Sequence, residues 1–141
     1  MAKIFEDEFM DVQSAIISLC LELVKNKADK VYAYGSLEKK TTFFNAFFQV
    51  EGSVRTINTL DNKKETAWRF LDLGMSDLEK IRAVCDRYGM PTPTEMKMVY
   101  DVATGKYDAS YLYEEVCSPE TGKESTEVFM NWVSEVKKGL A

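Results

Sequence analysis

Histidine is absent from this chain of 141 residues. Because histidine is the usual general base and the commonest metal ligand, the sequence lacks the side chain on which most acid–base and metal chemistry depends. Cysteine is scarce: Cys20, Cys85 and Cys117 are odd in number and far apart, which excludes a C-x-x-C zinc or redox pair. Reduced thiols in a cytosolic protein fit this pattern, and Cys20 and Cys85 are predicted to be small core residues.

Long apolar runs and glycine-rich loops are missing as well. No stretch approaches the roughly 20 apolar residues that a membrane-spanning helix needs, and the start, MAKIFEDEF, is too acidic for a signal peptide. The seven glycines are scattered and form no phosphate-cradling loop. A D-x-[DN]-x-[DN]-G calcium loop is also lacking. We therefore expect a cytoplasmic protein with no cofactor and no membrane partner.

Negative charge is concentrated in the second half of the chain. The formal net charge is −5, from 18 basic and 23 acidic side chains. Residues 1–70 carry ten of each sign, whereas residues 71–141 carry eight basic and thirteen acidic side chains. Phosphate recognition needs clustered Lys and Arg, so this balance argues against direct nucleic-acid binding. It suits a basic protein partner.

Hydrophobic spacing predicts one α+β domain over residues 1–141. The predicted order is αβββαββα: an N-terminal helix over 5–26, a three-stranded antiparallel meander, a long helix over 65–88, a β-hairpin and a C-terminal helix, with the helices packed on an antiparallel sheet. Trp68 is counted in the apolar stripe of the long helix, and Gly74 permits a break in it.

The middle strand of the meander carries two aromatic doublets, Phe43-Phe44 and Phe47-Phe48. Successive strand side chains point to opposite faces, so either both faces are covered or one Phe pair is exposed. Burial on both faces is favoured, because large exposed apolar patches are rare.

Turns set the expected register of two strand pairs. A two-residue turn at 51–52 predicts that Phe48 pairs with Arg55 and Ala46 with Ile57. In the last hairpin, a four-residue loop at 103–106 pairs Val102 with Tyr107, Tyr100 with Ala109, Met98 with Tyr111 and Met96 with Tyr113.

The reverse face of this hairpin is acidic. The predicted register places Asp101 opposite Asp108, and Glu95 opposite Glu114. This face is either a solvated strand surface or a surface for a basic partner. A carboxylate enzyme is a weaker alternative: repulsion would keep a proton on either Asp101 or Asp108 and leave an acid beside a base, but no cleft is predicted there.

A scaffold or small-ligand module is a further alternative, with the tyrosines and methionines of the hairpin as a cradle. A helix packed over that face explains the same residues and is favoured. These residues are Met96, Met98, Tyr111 and Tyr113.

The element order and the segment RYGMPTPTEMKMVYDVATGKYDASYLYE resemble the YezG-like immunity proteins, antitoxins that protect bacteria from polymorphic secreted toxins. In that family a glycine and a proline end a long helix, and an aromatic-rich hairpin turns at Gly-Lys and finishes on a tyrosine near an acidic residue. The matching positions are Gly89, Pro91, Gly105, Lys106, Tyr113 and Glu114. The likeness extends over residues 5–115.

The resemblance implies a non-catalytic cytosolic protein that binds a cognate toxin domain, often a nuclease, and blocks its active or substrate-binding surface. Nuclease toxins present basic surfaces, so our hypothesis is that carboxylates of the second half face the toxin. The predicted partner-binding residues are Asp101, Asp108, Glu95, Glu114, Asp72, Asp77, Glu79 and Asp86.

Overall fold

The computed structural model describes residues 4–38, 41–60, 63–117 and 121–140; the first three residues of the acidic start lie outside this description. The elements are α1 (Phe5–Leu23), β1 (Lys30–Ser36), β2 (Phe43–Val50), β3 (Ser53–Thr56), a 3-10 helix (Ile57–Thr59), α2 (Lys64–Arg87), β4 (Glu95–Asp101), β5 (Tyr107–Leu112) and α3 (Ser125–Leu140). The predicted αβββαββα order is confirmed.

The five strands form one antiparallel sheet in the order β3-β2-β1-β4-β5. β1 is central and pairs with both neighbours, so that Ala33 lies opposite Ala46 of β2 and Met98 of β4. Every residue from Val31 to Ser36 is buried. A strand covered in this way on both faces needs apolar and small side chains throughout, as VYAYGS supplies.

One face of the sheet, here called the two-helix face, is covered by α1 and α2. Its core includes Val31, Phe48 and Met98 from the strands and Ile16 and Leu78 from the helices, all fully buried. α1 reaches the β5 edge, where buried Gln13 accepts hydrogen bonds from the hydroxyls of Tyr107 and Tyr111. The polar end of Gln13 is thereby satisfied inside an apolar layer.

Two glycines let α2 approach the sheet closely. A Cβ atom at Gly74 of α2 would lie 2.1 Å from the ring of Phe44, and one at Gly35 of β1 would lie 2.6 Å from Leu78. α2 is continuous, so the break considered near Met75 does not occur. Gly74 is therefore needed for helix–sheet contact and does not interrupt the helix.

The opposite face, here called the one-helix face, is covered by α3. Tyr32 stacks on Phe47 with ring centroids 4.5 Å apart, and the Trp132 ring meets Phe47 edge-on at 5.0 Å. Phe129 belongs to the same cluster, with its ring centroid 5.8 Å from that of Phe47. Because Phe44 and Phe48 lie in the other core, the expectation that β2 is covered on both faces is confirmed.

β3 is shorter than predicted. Phe48 does pair with Arg55, but the ladder ends where Phe47 meets Thr56, so the predicted pairing of Ala46 with Ile57 is wrong. The chain turns away because the Thr59 hydroxyl donates to the Thr56 carbonyl at 2.8 Å within the 3-10 turn. Among the residues that the structure describes, the half of β2 beyond this point has a strand neighbour on one side only.

The β4–β5 register is shifted by two residues from the prediction. Tyr100 lies opposite Tyr107, and Met98 opposite Ala109. The turn is set by Asp101, whose carboxylate accepts from the Thr104 amide at 3.2 Å and whose amide donates to the Lys106 carbonyl at 2.9 Å.

The Val102 amide donates to the carbonyl of Asp29, the residue before β1, so it does not pair within the hairpin. As a result Asp108 lies opposite Val99, and Glu95 lies opposite Leu112. The predicted cross-strand pairs Asp101–Asp108 and Glu95–Glu114 are therefore wrong.

Candidate partner-binding surface

The eight predicted partner-binding residues do not form one surface; they lie on α2, on the hairpin and after β5. Asp72, Glu79 and Asp86 are exposed and, at seven-residue intervals, share the outer side of α2. The two aspartates of the hairpin lie on the one-helix face of the sheet. Glu114 follows the end of β5, and Asp77 and Glu95 are partly or fully covered by other side chains.

Glu95 does not belong to an exposed surface. It is only 5% exposed, and its carboxylate accepts a hydrogen bond of 2.8 Å from the Tyr34 hydroxyl. Burial raises the pKa of Tyr34, and the hydrogen bond to Glu95 raises it further. The prediction that Glu95 lies on an accessible acidic face is wrong, because Tyr34 of the central strand covers it.

Two acidic residues of α2 are engaged locally. Asp77 is half-buried and forms an ion pair of 3.4 Å with Lys80 one turn later. Glu79 accepts a hydrogen bond from the Thr42 hydroxyl, which lowers the pKa of its carboxyl, and lies 3.3 Å from Arg82. Glu79 therefore stays negatively charged on the outside of α2.

The hairpin carboxylates have separate roles. Asp101 is half-buried and holds the β4–β5 turn. Asp108 is exposed and lies 3.8 Å from Lys106, an ion pair between two solvated side chains that contributes little to stability. These two aspartates are not opposite each other. The pair of neighbouring carboxylates that the carboxylate-enzyme alternative requires is therefore not formed.

Trp68 lies on the outer side of α2, and its placement in the buried stripe is wrong. Its side chain is 58% exposed. It precedes Asp72 by one turn, so it stands in the same line as the exposed carboxylates of α2. The sequence did carry a signal, because Phe70 and not Trp68 continues the spacing of Gly74, Leu78, Ile81 and Cys85.

Three secondary-structure elements meet at one end of the molecule: α1 at its first turn, α2 at its last turn and β5 at its last residue. The Phe5 and Tyr88 rings are 5.8 Å apart, and the Phe9 and Tyr111 rings are 5.4 Å apart. Arg87 forms an ion pair of 2.5 Å with Glu8, which also accepts a hydrogen bond from the Tyr88 hydroxyl. These contacts fasten α1 to α2 at this end.

Large apolar side chains are exposed at this end, and they are here called the apolar end patch. Their exposed fractions lie between 36% and 58%, for Ile4, Tyr88, Met90 and Tyr113. Tyr113 lies near Cys85, and the Met90 amide donates to the Cys85 carbonyl at 2.8 Å, which places both beside the last turn of α2. Tyr113 was predicted to be covered by a helix, and that prediction is wrong.

Exposed carboxylates lie next to the apolar end patch along the chain. Exposed acidic residues of the first turn of α1, the last turn of α2 and the segment after β5 contribute: Glu6, Asp7, Asp86, Glu114 and Glu115. Asp86 and Glu114 come from the predicted set; the others were not predicted. Exposed aromatic and Met side chains with charged residues beside them are typical of a protein-binding surface.

The described ranges hold no cluster of three or more potential metal-ligating side chains. Cys20 and Cys85 are buried, and burial raises the pKa of both thiols, so their predicted place in the core is confirmed. In the same ranges, no helix has both the length and the apolar character required to traverse a bilayer.

The sequence matches no protein-family model and no curated protein. The likeness to YezG-like immunity proteins therefore remains an expectation that rests on the helix stop and hairpin motif.

Proposed function

We propose that the protein is an immunity protein that binds a cognate toxin domain, a nuclease with a basic surface, and occludes its active or substrate-binding surface. The observation that carries the proposal is the apolar end patch with the carboxylates next to it. The motif shared with YezG-like immunity proteins lies in the same part of the chain and supports the same class of partner.

The two parts of this surface have different tasks in the proposal. Acidic residues such as Asp86 and Glu114 attract the basic toxin and speed the encounter, since complementary potentials act mainly on association rate and specificity. Desolvation of Tyr113 and Met90 then supplies affinity, because aromatic anchors inside a solvent-excluding rim dominate binding energy. Asp72 and Glu79 extend the negative surface along α2.

The experiment starts with co-purification of the protein with the product of the adjacent gene, followed by a nuclease assay with and without the protein. We expect stoichiometric inhibition. The double variant Asp86→Lys/Glu114→Lys should lower the association rate roughly tenfold at low salt and flatten its salt dependence. Tyr113→Ala should raise the dissociation rate roughly tenfold.

Asp108→Lys is the matched control, because it reverses an exposed carboxylate on the one-helix face. We expect it to leave both rates unchanged. If Asp108→Lys weakens toxin binding and the Asp86→Lys/Glu114→Lys variant binds normally, the toxin-binding site lies on the hairpin. Steady product formation by the purified chain alone, with no toxin captured, would contradict the immunity function.

A further inference from the structure

β5 forms one edge of the sheet, and half of its backbone groups point away from β4. The carbonyls of Lys106 and Leu112 accept hydrogen bonds of 2.9 and 2.7 Å from backbone amides at the two ends of β4. Backbone direction alternates along a strand, so the amides and carbonyls of Tyr107, Ala109 and Tyr111 are directed outward. In the described part of the chain, no strand pairs with that side.

The β5 edge is accessible, and little in its sequence protects it. Asp108, Ser110 and Leu112 are exposed, and the residues between them are only partly buried. The opposite edge strand, β3, has four residues and ends in a 3-10 turn, and shortness of this kind protects an edge. β5 has six residues, none of them proline, and one charged side chain. An edge of this kind is a template for pairing with another strand.

A groove lies beside the β5 edge on the two-helix face. Its volume is about 260 Å³, and it separates α1 from Tyr100 and Tyr107 of the hairpin. Val12 and Leu19 line the clefts between α1 and α2, so the groove lies on the other side of α1. The α1 residues that line it are Met10, Ser14, Ile17, Ser18 and Leu21. A strand that adds to β5 would therefore also cover this side of α1.

One register of two β5 strands brings opposite charges together. In an antiparallel pair the outward-directed residues of one strand must lie opposite those of the other, which also keeps each side chain on its own face. Pairing centred on Ser110 places Lys106 of each copy opposite Glu114 of the other. A shift of the centre by one residue towards the C-terminus sets Asp108 against Glu114, and a shift of two towards the N-terminus sets Asp108 against itself. Like charges in these positions are destabilising. The register between them forms no charge pair.

We propose that a second copy of this chain occupies the β5 edge, in a two-fold symmetric dimer whose β5 strands pair antiparallel about Ser110. Ala109 of each copy exchanges backbone hydrogen bonds with Tyr111 of the other, which joins the two sheets into one. Tyr107, which lines the groove, comes opposite the exposed ring of Tyr113 of the second copy. The same patch is used twice, as a two-fold interface requires.

Sedimentation velocity of the free chain over a wide range of concentration tests the proposal, and we expect the mass of a dimer. Ser110→Lys changes an exposed side chain and sets two positive charges against each other at the two-fold axis. It should weaken dimerisation roughly tenfold or more. Ser134→Lys is the matched control, because it makes the same change at an exposed position of α3, and it should leave the mass unchanged.

The register has its own test. Lys106→Glu should weaken dimerisation severalfold, and Lys106→Glu/Glu114→Lys should restore it, because the exchanged charges again lie opposite each other. Hydrogen exchange at the Ala109 and Tyr111 amides should slow as the concentration rises. Failure of the double variant to restore the dimer would overturn pairing centred on Ser110.

A monomer at every concentration, or a dimer that Ser110→Lys does not weaken, would overturn the proposal. Protection of the Ala109 and Tyr111 amides only when a toxin is added would overturn it in favour of a strand of the toxin. If the proposed function also holds, the second copy and the toxin exclude each other at Tyr113. The mass is measured without toxin, and Ser110→Lys should still inhibit the nuclease, so the two proposals fail separately.

Discussion

The two faces of the sheet are buried by different mixtures of side chains. The two-helix face combines aliphatic side chains and methionines with phenylalanines, and α2 approaches it closely over Gly35 and Gly74. The one-helix face is an aromatic cluster with polar groups at its margin, where Lys97 lies 5.5 Å from the Trp132 ring and Tyr34 donates to Glu95. Close helix–sheet approach at two glycines distinguishes the first face, and a core made mostly of aromatic rings distinguishes the second.

The extent to which helices cover the sheet also differs between the two faces. α1 and α2 together extend from β2 to β5, whereas α3 lies over β1, β2 and β3 and reaches β4 where Trp132 meets Lys97. Part of β4 and β5 on the one-helix face therefore stays accessible, including Asp108 and Ser110. We expect α3 to be the element that detaches most easily, because it is held on one side only.

The largest expected effect compares one deleted ring on each face. Phe48→Ala removes a fully buried ring from the two-helix face and should lower the free energy of unfolding by about 4 kcal/mol. Phe129→Ala on the one-helix face should cost about 3 kcal/mol, mostly by releasing α3. Urea unfolding measures the totals, and hydrogen exchange shows where the protein opens.

Trp132 fluorescence in a Trp68→Phe background reports on α3 alone, because Trp132 is buried and Trp68 is exposed. In the Phe129→Ala variant we expect a red shift while β1 amides remain protected. Equal loss of protection in β1 and α3 would contradict a difference between the faces.

A glycine-to-alanine substitution should destabilise the protein in α2 and stabilise it in α3. At Gly74, alanine would place its Cβ 2.1 Å from the Phe44 ring and should destabilise the protein by about 2 kcal/mol, after allowing for its better helix propensity. At Gly139 an added Cβ would meet no atom of the described residues within 4 Å beyond its own stretch of helix, so alanine should stabilise by about 0.5 kcal/mol. Thermal unfolding of both variants tests the comparison; stabilisation by Gly74→Ala would show that α2 can shift freely.

The last comparison concerns pH and the one-helix face. Tyr34→Phe leaves the Glu95 carboxylate without its donor and should cost about 1.5 kcal/mol at pH 7. Burial raises the pKa of Tyr34 above its ordinary value of 10.0, so its stabilising contribution is complete below pH 10 and is lost as pH rises further.

The decline in stability above pH 10 should therefore be shallower in Tyr34→Phe than in the unaltered chain. Part of the decline persists, because burial also raises the pKa of Tyr107 on the two-helix face. Urea unfolding between pH 7 and pH 11 measures both slopes. An unchanged slope would show that Tyr34 does not resist ionisation in the folded protein.

The element order and the two-sided burial of β2 were predictable because they depend on hydrophobic period. The hairpin register was not, since a shift of two residues leaves every side chain on its predicted face. The observed register depends on Asp101 in the turn and on the hydrogen bond from Val102 to Asp29, which joins segments distant in sequence. Alternation alone cannot distinguish the two registers.

The candidate surface was predicted in part. Asp86 and Glu114 lie on it, whereas Glu95 was assigned to the solvent side by alternation and is covered by Tyr34 of another strand. The apolar end patch was missed because its residues come from three elements. Tyr88 and Met90 flank the glycine that ends α2, and this position outside the regular helix was the available signal.

The placement of α3 has a consequence for synthesis of the chain. α3 follows all five strands in sequence, so the sheet and the first two helices emerge from the ribosome before the aromatic rings of Tyr32 and Phe47 have a cover. We expect a nascent chain that ends before Ser125 to bind the apolar dye ANS strongly and to recruit chaperones. Weak dye binding by that truncated chain would show that the strands assemble only once their last helix has arrived.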